Sequence, residues 1–259
     1  MKIHFYKYQG AGNDFVMIDN RSGSFPTTNH KLVQQLCDRR FGIGADGLIA
    51  LEPSENTDFK MLYYNSDGNF GSMCGNGGRC AVAFAAKLGI VEKQTTFEAS
   101  DGLHTAKISD GTVSLSMHDV TEIKKLDTGL FLNTGSPHLV LVVDDVETVD
   151  VASLGAQFRN DPIFAPGGTN VNFVQIVDGS TLKMRTFERG VEAETLACGT
   201  GATAAALALF YEKKLLSNRV NLHVAGGTLA VHFSFDGRAF TAVELIGPAT
   251  EVYSGTVDL

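Results

Sequence analysis

Two similar α+β lobes, each a curled and mostly antiparallel sheet around a central buried helix, are what three features of this sequence predict. The first is a corner that occurs twice, as Cys74-Gly75-Asn76-Gly77 and as Cys198-Gly199-Thr200-Gly201. The second is the run that follows each corner, Ala81-Val82-Ala83-Phe84-Ala85-Ala86 in one half and Ala204-Ala205-Ala206-Leu207-Ala208-Leu209 in the other. The third is spacing: Gly102, in the first turn after Cys74, lies 28 residues past it (102 − 74), and Gly227 lies 29 past Cys198 (227 − 198). Self-similarity of this kind is the mark of a duplicated unit.

Each element follows from local chemistry. Residues 31–40 alternate apolar and polar at helical spacing and read as an amphipathic helix with Cys37 packed inside. The stretches 79–88 and 202–210 contain runs, 81–86 and 204–209, rich in Ala and Leu, which cost least in a helix, and apolar on every face, so both helices belong inside something. After the first come alternating segments at 96–99, 103–108 and 112–117, broken at Asp101-Gly102 and Asp110-Gly111; after the second come 220–224, 228–235 and 239–245, broken at Gly226-Gly227 and Asp236-Gly237. Such triplets are antiparallel meanders. A helix that is apolar all round needs cover on all sides, which a curled sheet supplies better than a flat one. The expected lobes are therefore residues 1–121, carrying Cys74, and 122–250, carrying Cys198, with a hinge in the polar stretch 121–127 and a last strand at about 251–259 returning to the first lobe.

Composition narrows the partners. The 259 residues are 44% hydrophobic, enough for a sizeable core, and carry a formal charge of −8, which offers no basic field for nucleic acid or anionic lipid. No run approaches a membrane span, and the start of the chain lacks a cationic region leading into an apolar one, so the expectation is a cytoplasmic protein with no membrane partner. Four cysteines are too few for a secreted disulfide scaffold and are expected as thiols. Cys37 and Cys80 read as packing residues.

Cys74 and Cys198 stand apart because each opens its helix, where unpaired N–H groups and the helix dipole favour an anion. The neighbouring glycines let the backbone turn close to a bound carboxylate. A single corner of this type is a Gly-rich helix start with a buried Cys; two in a duplicated chain suggest a pair facing each other across a cleft. A thiol titrates near 8.5, so one member could remove a proton from a substrate α-carbon while the other delivers a proton to the opposite face. Such chemistry needs no cofactor or metal, and Lys60, Lys87 and Lys183 show no signature of a pyridoxal Schiff base.

The two corners resemble the paired cysteine motifs of diaminopimelate epimerases, and the likeness extends to Gly10-Ala11-Gly12-Asn13-Asp14-Phe15, Phe41-Gly42-Ile43-Gly44-Ala45-Asp46-Gly47, Asn65-Ser66-Asp67-Gly68, Pro137-His138, Gly168-Thr169-Asn170 and Glu188-Arg189-Gly190. The resemblance implies the fold of that family and a cofactor-independent isomerase, cytoplasmic and homodimeric, that interconverts LL- and meso-diaminopimelate for lysine and peptidoglycan precursor synthesis. It implies Cys74 and Cys198 as catalytic thiols, with His138 and Glu188 as auxiliary groups. It further implies a substrate shell of Gly75, Asn76, Gly199 and Thr200 at the reacting end, Asn13, Asn65 and Asn170 at the distal end, and Glu188 and Arg189 as a charged pair. The types suit the substrate: an amide can donate to a carboxylate and accept from an ammonium, and Arg can clamp a carboxylate. Outside that context the asparagines read as turns or caps, Glu188-Arg189 as a surface pair and His138 as a loop histidine. Two departures from the family pattern stand out: Ser136 where Asn is usual before Pro137-His138, and one extra residue around Val191-Glu192-Ala193. The rival readings are a proline or hydroxyproline racemase of the same architecture, against which Asn76 counts because those relatives carry His there, and a non-catalytic amino-acid-binding protein.

Overall fold

The computed structural model describes residues 2–71 and 73–258. The chain divides into two compact units, Met1–Leu115 with Gly247–Leu259, and Ser116–Ile246. The first unit contains β1 (Lys2–Gly10), β2 (Asn13–Asp19), α1 (His30–Cys37), β3 (Gly47–Glu52), β4 (Phe59–Asn65), α2 (Gly75–Lys87), β5 (Gln94–Ala99), β6 (Gly102–Ser109) and β7 (Thr112–Ser116). The second contains β8 (Ile123–Lys125), β9 (Leu130–Asn133), β10 (Pro137–Val142), α3 (Val151–Arg159), β11 (Asn170–Ile176), β12 (Thr181–Glu188), β13 (Ala193–Thr195), α4 (Gly199–Tyr211), β14 (Arg219–Val224), β15 (Gly227–Phe235) and β16 (Phe240–Pro248). The chain then re-enters the first unit as β17 (Thr250–Asp258).

The two sheets share one pattern. In the first unit β17, β1, β2, β3, β4, β5, β6 and β7 lie side by side, parallel only between β2 and β3 and between β4 and β5. In the second, β8, β9, β10, β11, β12, β14, β15 and β16 repeat that order, parallel only between β10 and β11 and between β12 and β14. The sheets are thus mostly antiparallel, as expected, and the parallel pairs occur where a helix makes the crossover such a pair requires: α1, α2, α3 and α4 in turn. The meanders form with the predicted turns. The polar stretch 121–127, expected as a hinge, contains the short strand β8, paired with β9.

Both faces of each sheet are covered. On β2, Val16 and Ile18 join the cluster under α1 with Leu32, Val33 and Leu36, while Phe15 on the opposite face lies near Gly77 of α2. That is why this strand reads as an unbroken apolar run rather than an alternation. Helix α1 stops at Cys37, three residues short of the expected end, because the Asp38 carboxylate accepts from the N–H groups of Arg40 and Phe41 and turns the chain. Helix α2 touches β1, β2, β3, β4, β6 and β17; α4 touches β9, β10, β11 and β15. In α4 every residue from Gly201 to Leu209 is buried, and removing a leucine side chain there, Leu207 or Leu209, forfeits about 2–5 kcal/mol. No helix among the described residues is long and apolar enough to cross a membrane.

Candidate active site

Each catalytic candidate caps its helix with its own thiol. Cys74 is the N-cap of α2, extended at φ −104° and ψ 119°, and its Sγ accepts from the Gly77 N–H at 3.4 Å. Cys198 is the N-cap of α4 at φ −126° and ψ 111°, and its Sγ accepts from the Gly201 N–H at 3.4 Å. Sulfur thus takes the place of the Ser or Asp oxygen usual at this position, and a thiolate there would be held by charge-assisted bonds at the positive end of a helix. Cys74 is half-buried and Cys198 only 6% exposed.

In the first unit the motif residues form one bonded cluster. Asn76, on the first turn of α2, donates through Nδ2 to Asn13 Oδ1 at 2.5 Å, and Asn13 Nδ2 donates to Asp46 Oδ2 at 3.1 Å. Asp14 and Asp46 exchange bonds: the Asp14 N–H donates to Asp46 Oδ2 and the Asp46 N–H to Asp14 Oδ1. Arg39 donates to both carboxylates at 2.7 Å, and Lys7 reaches Asp14 at 2.7 Å and the Gly44 carbonyl. Burial alone would raise the Asp14 carboxyl; the bonds from Arg39 and Lys7 outweigh it and hold the group down at about 2. Asn65 closes β4, exposed, and the next residue, Ser66, donates its N–H to the Asp46 carbonyl. The motifs around Asn13, Asp46, Asn65 and Asn76 are therefore fastened to one another, with Gly75 buried between Cys74 and Asn76.

Behind Cys74 lies a charge. Arg79 is fully buried on α2 and folds back toward the start of its helix, where Nη1 donates to the Gly75 carbonyl at 3.3 Å and Nε to the Pro248 carbonyl at 3.4 Å. Its Nη2 has no partner among the described residues and no carboxylate pairs with it. Burial lowers its basicity, and a thiolate at Cys74 would support its charge. Cys80 and Cys37 are themselves pushed up to about 12 by burial and stay protonated, in keeping with packing roles.

In the second unit a chain of neutral groups leads to the thiol. Thr200 Oγ1 lies 3.5 Å from Cys198 Sγ and 2.9 Å from Nε2 of His138, whose Nδ1 is 3.1 Å from Asn172 Nδ2. His138 and Asn172 are both fully buried. Burial, and after it the charge of Arg189, hold the imidazole down at about 3, so it is neutral through the working range. Thr134 Oγ1 fixes the Thr200 carbonyl at 2.8 Å, and Gly199 begins the helix beside them. Asn170 Nδ2 donates to Ser136 Oγ and to the Pro137 carbonyl, both at 2.9 Å, and its Oδ1 accepts from the Arg189 N–H at 2.9 Å. Ser136 thus puts a hydroxyl between Asn170 and the Arg189 guanidinium, whose Nη2 approaches it at 3.5 Å. Glu188 ends β12 opposite Ala193. The lengthened loop is a tight hairpin in which Glu192, at φ +59°, is held by Arg159 at 3.0 Å and by the Gly190 N–H.

The structure gathers Asn13, Gly75 and Asn76 around Cys74, with Asn65 on an adjoining exposed turn, and His138, Asn170, Arg189, Gly199 and Thr200 on the elements around Cys198. Asn172, Arg39 and Arg79 escaped the sequence reading, as did the part that Asp46 plays within its motif, although two carried a signal: Asn172 interrupts the apolar strand β11, and Arg79 the apolar helix α2. No group of three or more His, Cys, Asp or Glu side chains able to hold a metal ion occurs among the described residues.

Comparison with known proteins follows the same lines. The sequence matches the family described as diaminopimelate epimerase over residues 5–123 and 130–252. It is 53% identical to the diaminopimelate epimerase of Flavobacterium psychrophilum over 98% of this chain and 100% of that one, and 42% identical to that of Aquifex aeolicus over 98% and 97%. Among solved structures, a phenazine biosynthesis protein of the PhzF family from Bacillus anthracis superposes with a TM-score of 0.79 at 13% identity over 100% of both chains. A hydroxyproline epimerase from Agrobacterium vitis, bound to trans-4-hydroxy-L-proline, gives 0.69 at 14% identity over 100% of this chain and 93% of its own. At such identities these two establish the fold alone. Full-length identity and motif order together place the chain in the diaminopimelate epimerase family.

Proposed function

We propose that the chain is a diaminopimelate epimerase that interconverts the LL and meso forms without a cofactor, using Cys74 and Cys198 as the acid and base on one α-carbon. The observation that carries this reading is the repeated cap: each thiol accepts a backbone N–H at the start of a buried helix. One thiolate removes the α-proton, the carbanion spreads charge onto its carboxylate, and the other thiol delivers a proton to the opposite face, so that proton count and charge balance in either direction. Donors at the helix starts, the N–H groups of Gly75, Asn76, Gly199 and Thr200, stabilise the carboxylate as it becomes enolate-like. Preorganised donors of this kind contribute about 3–4 kcal/mol each at most.

Asn13, Asn65 and Asn170 are assigned to the distal amino-acid end, Arg189 to a carboxylate and Glu188 to an ammonium, with His138 and Glu188 auxiliary to the thiols. Asn170 spends both N–H bonds on Ser136 and Pro137 and keeps one Oδ1 lone pair for an ammonium. Four cysteines held as thiols rather than disulfides suit a reducing compartment, and the same reading makes the enzyme a cytoplasmic homodimer in lysine and peptidoglycan precursor synthesis.

Turnover in deuterated water tests it. With LL-diaminopimelate the product should carry deuterium at the inverted α-carbon, with L-proline as a parallel substrate that should not react. Racemisation of proline alone would overturn the substrate; binding of diaminopimelate with no solvent deuterium entering it would leave a binding protein and overturn the reaction.

A further inference from the structure

Asn172 has no place in the mechanism above, yet it is the most constrained polar side chain near Cys198. Its Nδ2 lies 3.1 Å from the Leu139 carbonyl and 3.1 Å from His138 Nδ1, while its Oδ1 accepts from Thr186 Oγ1 at 3.0 Å. A carbonyl can only accept, so the amide corner that faces Leu139 is the nitrogen, and its second hydrogen points at the imidazole. His138 Nδ1 must then offer a lone pair, which leaves the ring proton on Nε2, 2.9 Å from Thr200 Oγ1. With one lone pair taken by that donor, Thr200 has its own hydroxyl proton to turn toward Cys198 Sγ at 3.5 Å. Burial keeps water out: Asn172, His138 and Thr186 are at most 2% exposed. Gly201 permits the approach, since a Cβ there would stand 2.4 Å from Asn172 Oδ1.

We infer that Asn172 is a positioning residue that locks the His138 ring as an Nε2–H donor, so that Thr200 donates its proton to Cys198 and supports the thiolate. This rests on Cys198 acting as an acid–base thiol. In this arrangement His138 is a donor and not a proton acceptor. A second ring proton would set an N–H of the imidazolium against the Asn172 amide, and both burial and the Arg189 charge oppose it. A further titratable group, His118, lies across Gly135 from the Thr200 methyl.

The tautomer is directly observable. In full-length protein carrying 15N-labelled histidine, with the His138 signals assigned by their loss in His138→Gln, long-range 1H–15N spectra should show a protonated Nε2 and a bare Nδ1, unchanged from pH 5 to 9. A proton on Nδ1, or on both nitrogens within that range, overturns the inference. As a second arm, iodoacetamide labelling followed by peptide mapping reads both thiols in one sample. Asn172→Leu and Thr200→Val should each slow Cys198 at pH 7 by about threefold to tenfold and leave Cys74 unchanged. Equal rates at Cys198 before and after substitution, or a parallel fall at both thiols, also overturn it. Failure of the parent reading looks different: Cys198→Ala that still epimerises removes the catalytic thiol while the tautomer result stands.

Discussion

Cys74 and Cys198 each cap a 13-residue helix through the same sulfur-to-N–H bond, yet behind the first stands a buried guanidinium and behind the second an uncharged chain of hydroxyl, imidazole and amide. The shared part is backbone geometry, carried by the glycines of the two corners and kept by both copies of the fold. The part that differs is side-chain chemistry, free to diverge once the cap was in place. A charge acts over several ångströms and does not require alignment; a hydrogen-bond chain acts only through the orientation of each link. The two thiols therefore respond to different perturbations, and substitutions can separate them.

The largest effect comes where the corners are equal. Either Cys74→Ala or Cys198→Ala should lower epimerisation by roughly a hundredfold to ten-thousandfold, since each removes one proton-transfer group. Rates measured in both directions check this, and a variant that keeps most of its activity breaks the pairing of the two corners.

The glycines one turn into the helices come next, and here the corners diverge. A Cβ on Gly201 would meet Asn172 Oδ1 at 2.4 Å, within a fully bonded buried network, whereas a Cβ on Gly77 would meet Ile49 Cδ1 at 3.1 Å, the end of a flexible side chain. Gly201→Ala should cost about 1–3 kcal/mol and Gly77→Ala less, as read from urea midpoints. Equal losses would show that the two helix starts are packed alike.

Acid should also distinguish the units. His138 is held down at about 3 in the folded protein and returns to about 6.5 when unfolded. Between those values the unfolded chain binds more protons, so stability falls as pH falls through that window. Asp14, held down at about 2 by bonds that overcome its burial, contributes stability above the unfolded carboxylate value near 3.8 and loses it only below that. The urea midpoint should therefore drop between pH 7 and 5 by an amount worth about 1–2 kcal/mol, and His138→Gln should remove most of this drop while Asp14→Asn should not. A drop that persists in His138→Gln assigns it elsewhere.

How much of this was legible depended on whether the signal was local. The cysteine corners, the Ala-rich helices and the glycine turns of the meanders each lie within a few residues, and each could be read from composition and spacing. The parallel pairs were not, because Phe15 and Gly47 meet only after α1 has crossed over, and both strands are apolar on both faces. The residues linking the motifs escaped for a related reason. Asp14 and Asp46 exchange bonds across 32 residues of sequence, and the motif around each gives no sign of the other. Asn172 and Arg79 were legible in principle, as polar residues in otherwise apolar segments, but nothing local tells what either one bonds.

The smallest predicted effect bears most directly on the difference between the corners. Arg79 is a cation buried at 0% exposure, and among the described residues it is bonded to two carbonyls, has no carboxylate partner and leaves Nη2 without a hydrogen bond. Such a charge is costly in a protein interior unless something negative offsets it. The group that becomes negative in the proposed reaction is Cys74, one residue from the carbonyl that Arg79 grips, and its charge supports that of Arg79. The coupling is mutual, so loss of the guanidinium should disfavour the thiolate. Arg79→Met should slow iodoacetamide labelling of Cys74 at pH 7 by about threefold to tenfold, with Cys198 in the same sample unaffected. Arg79→Lys, which keeps the charge but not the fork, should recover most of that loss. Because Arg79 is fully buried and Cys74 half-buried, added salt should change the ratio less than it would for an exposed pair. If Met and Lys slow Cys74 equally, the residue serves packing, and the contrast between a charged and an uncharged corner fails at its first corner.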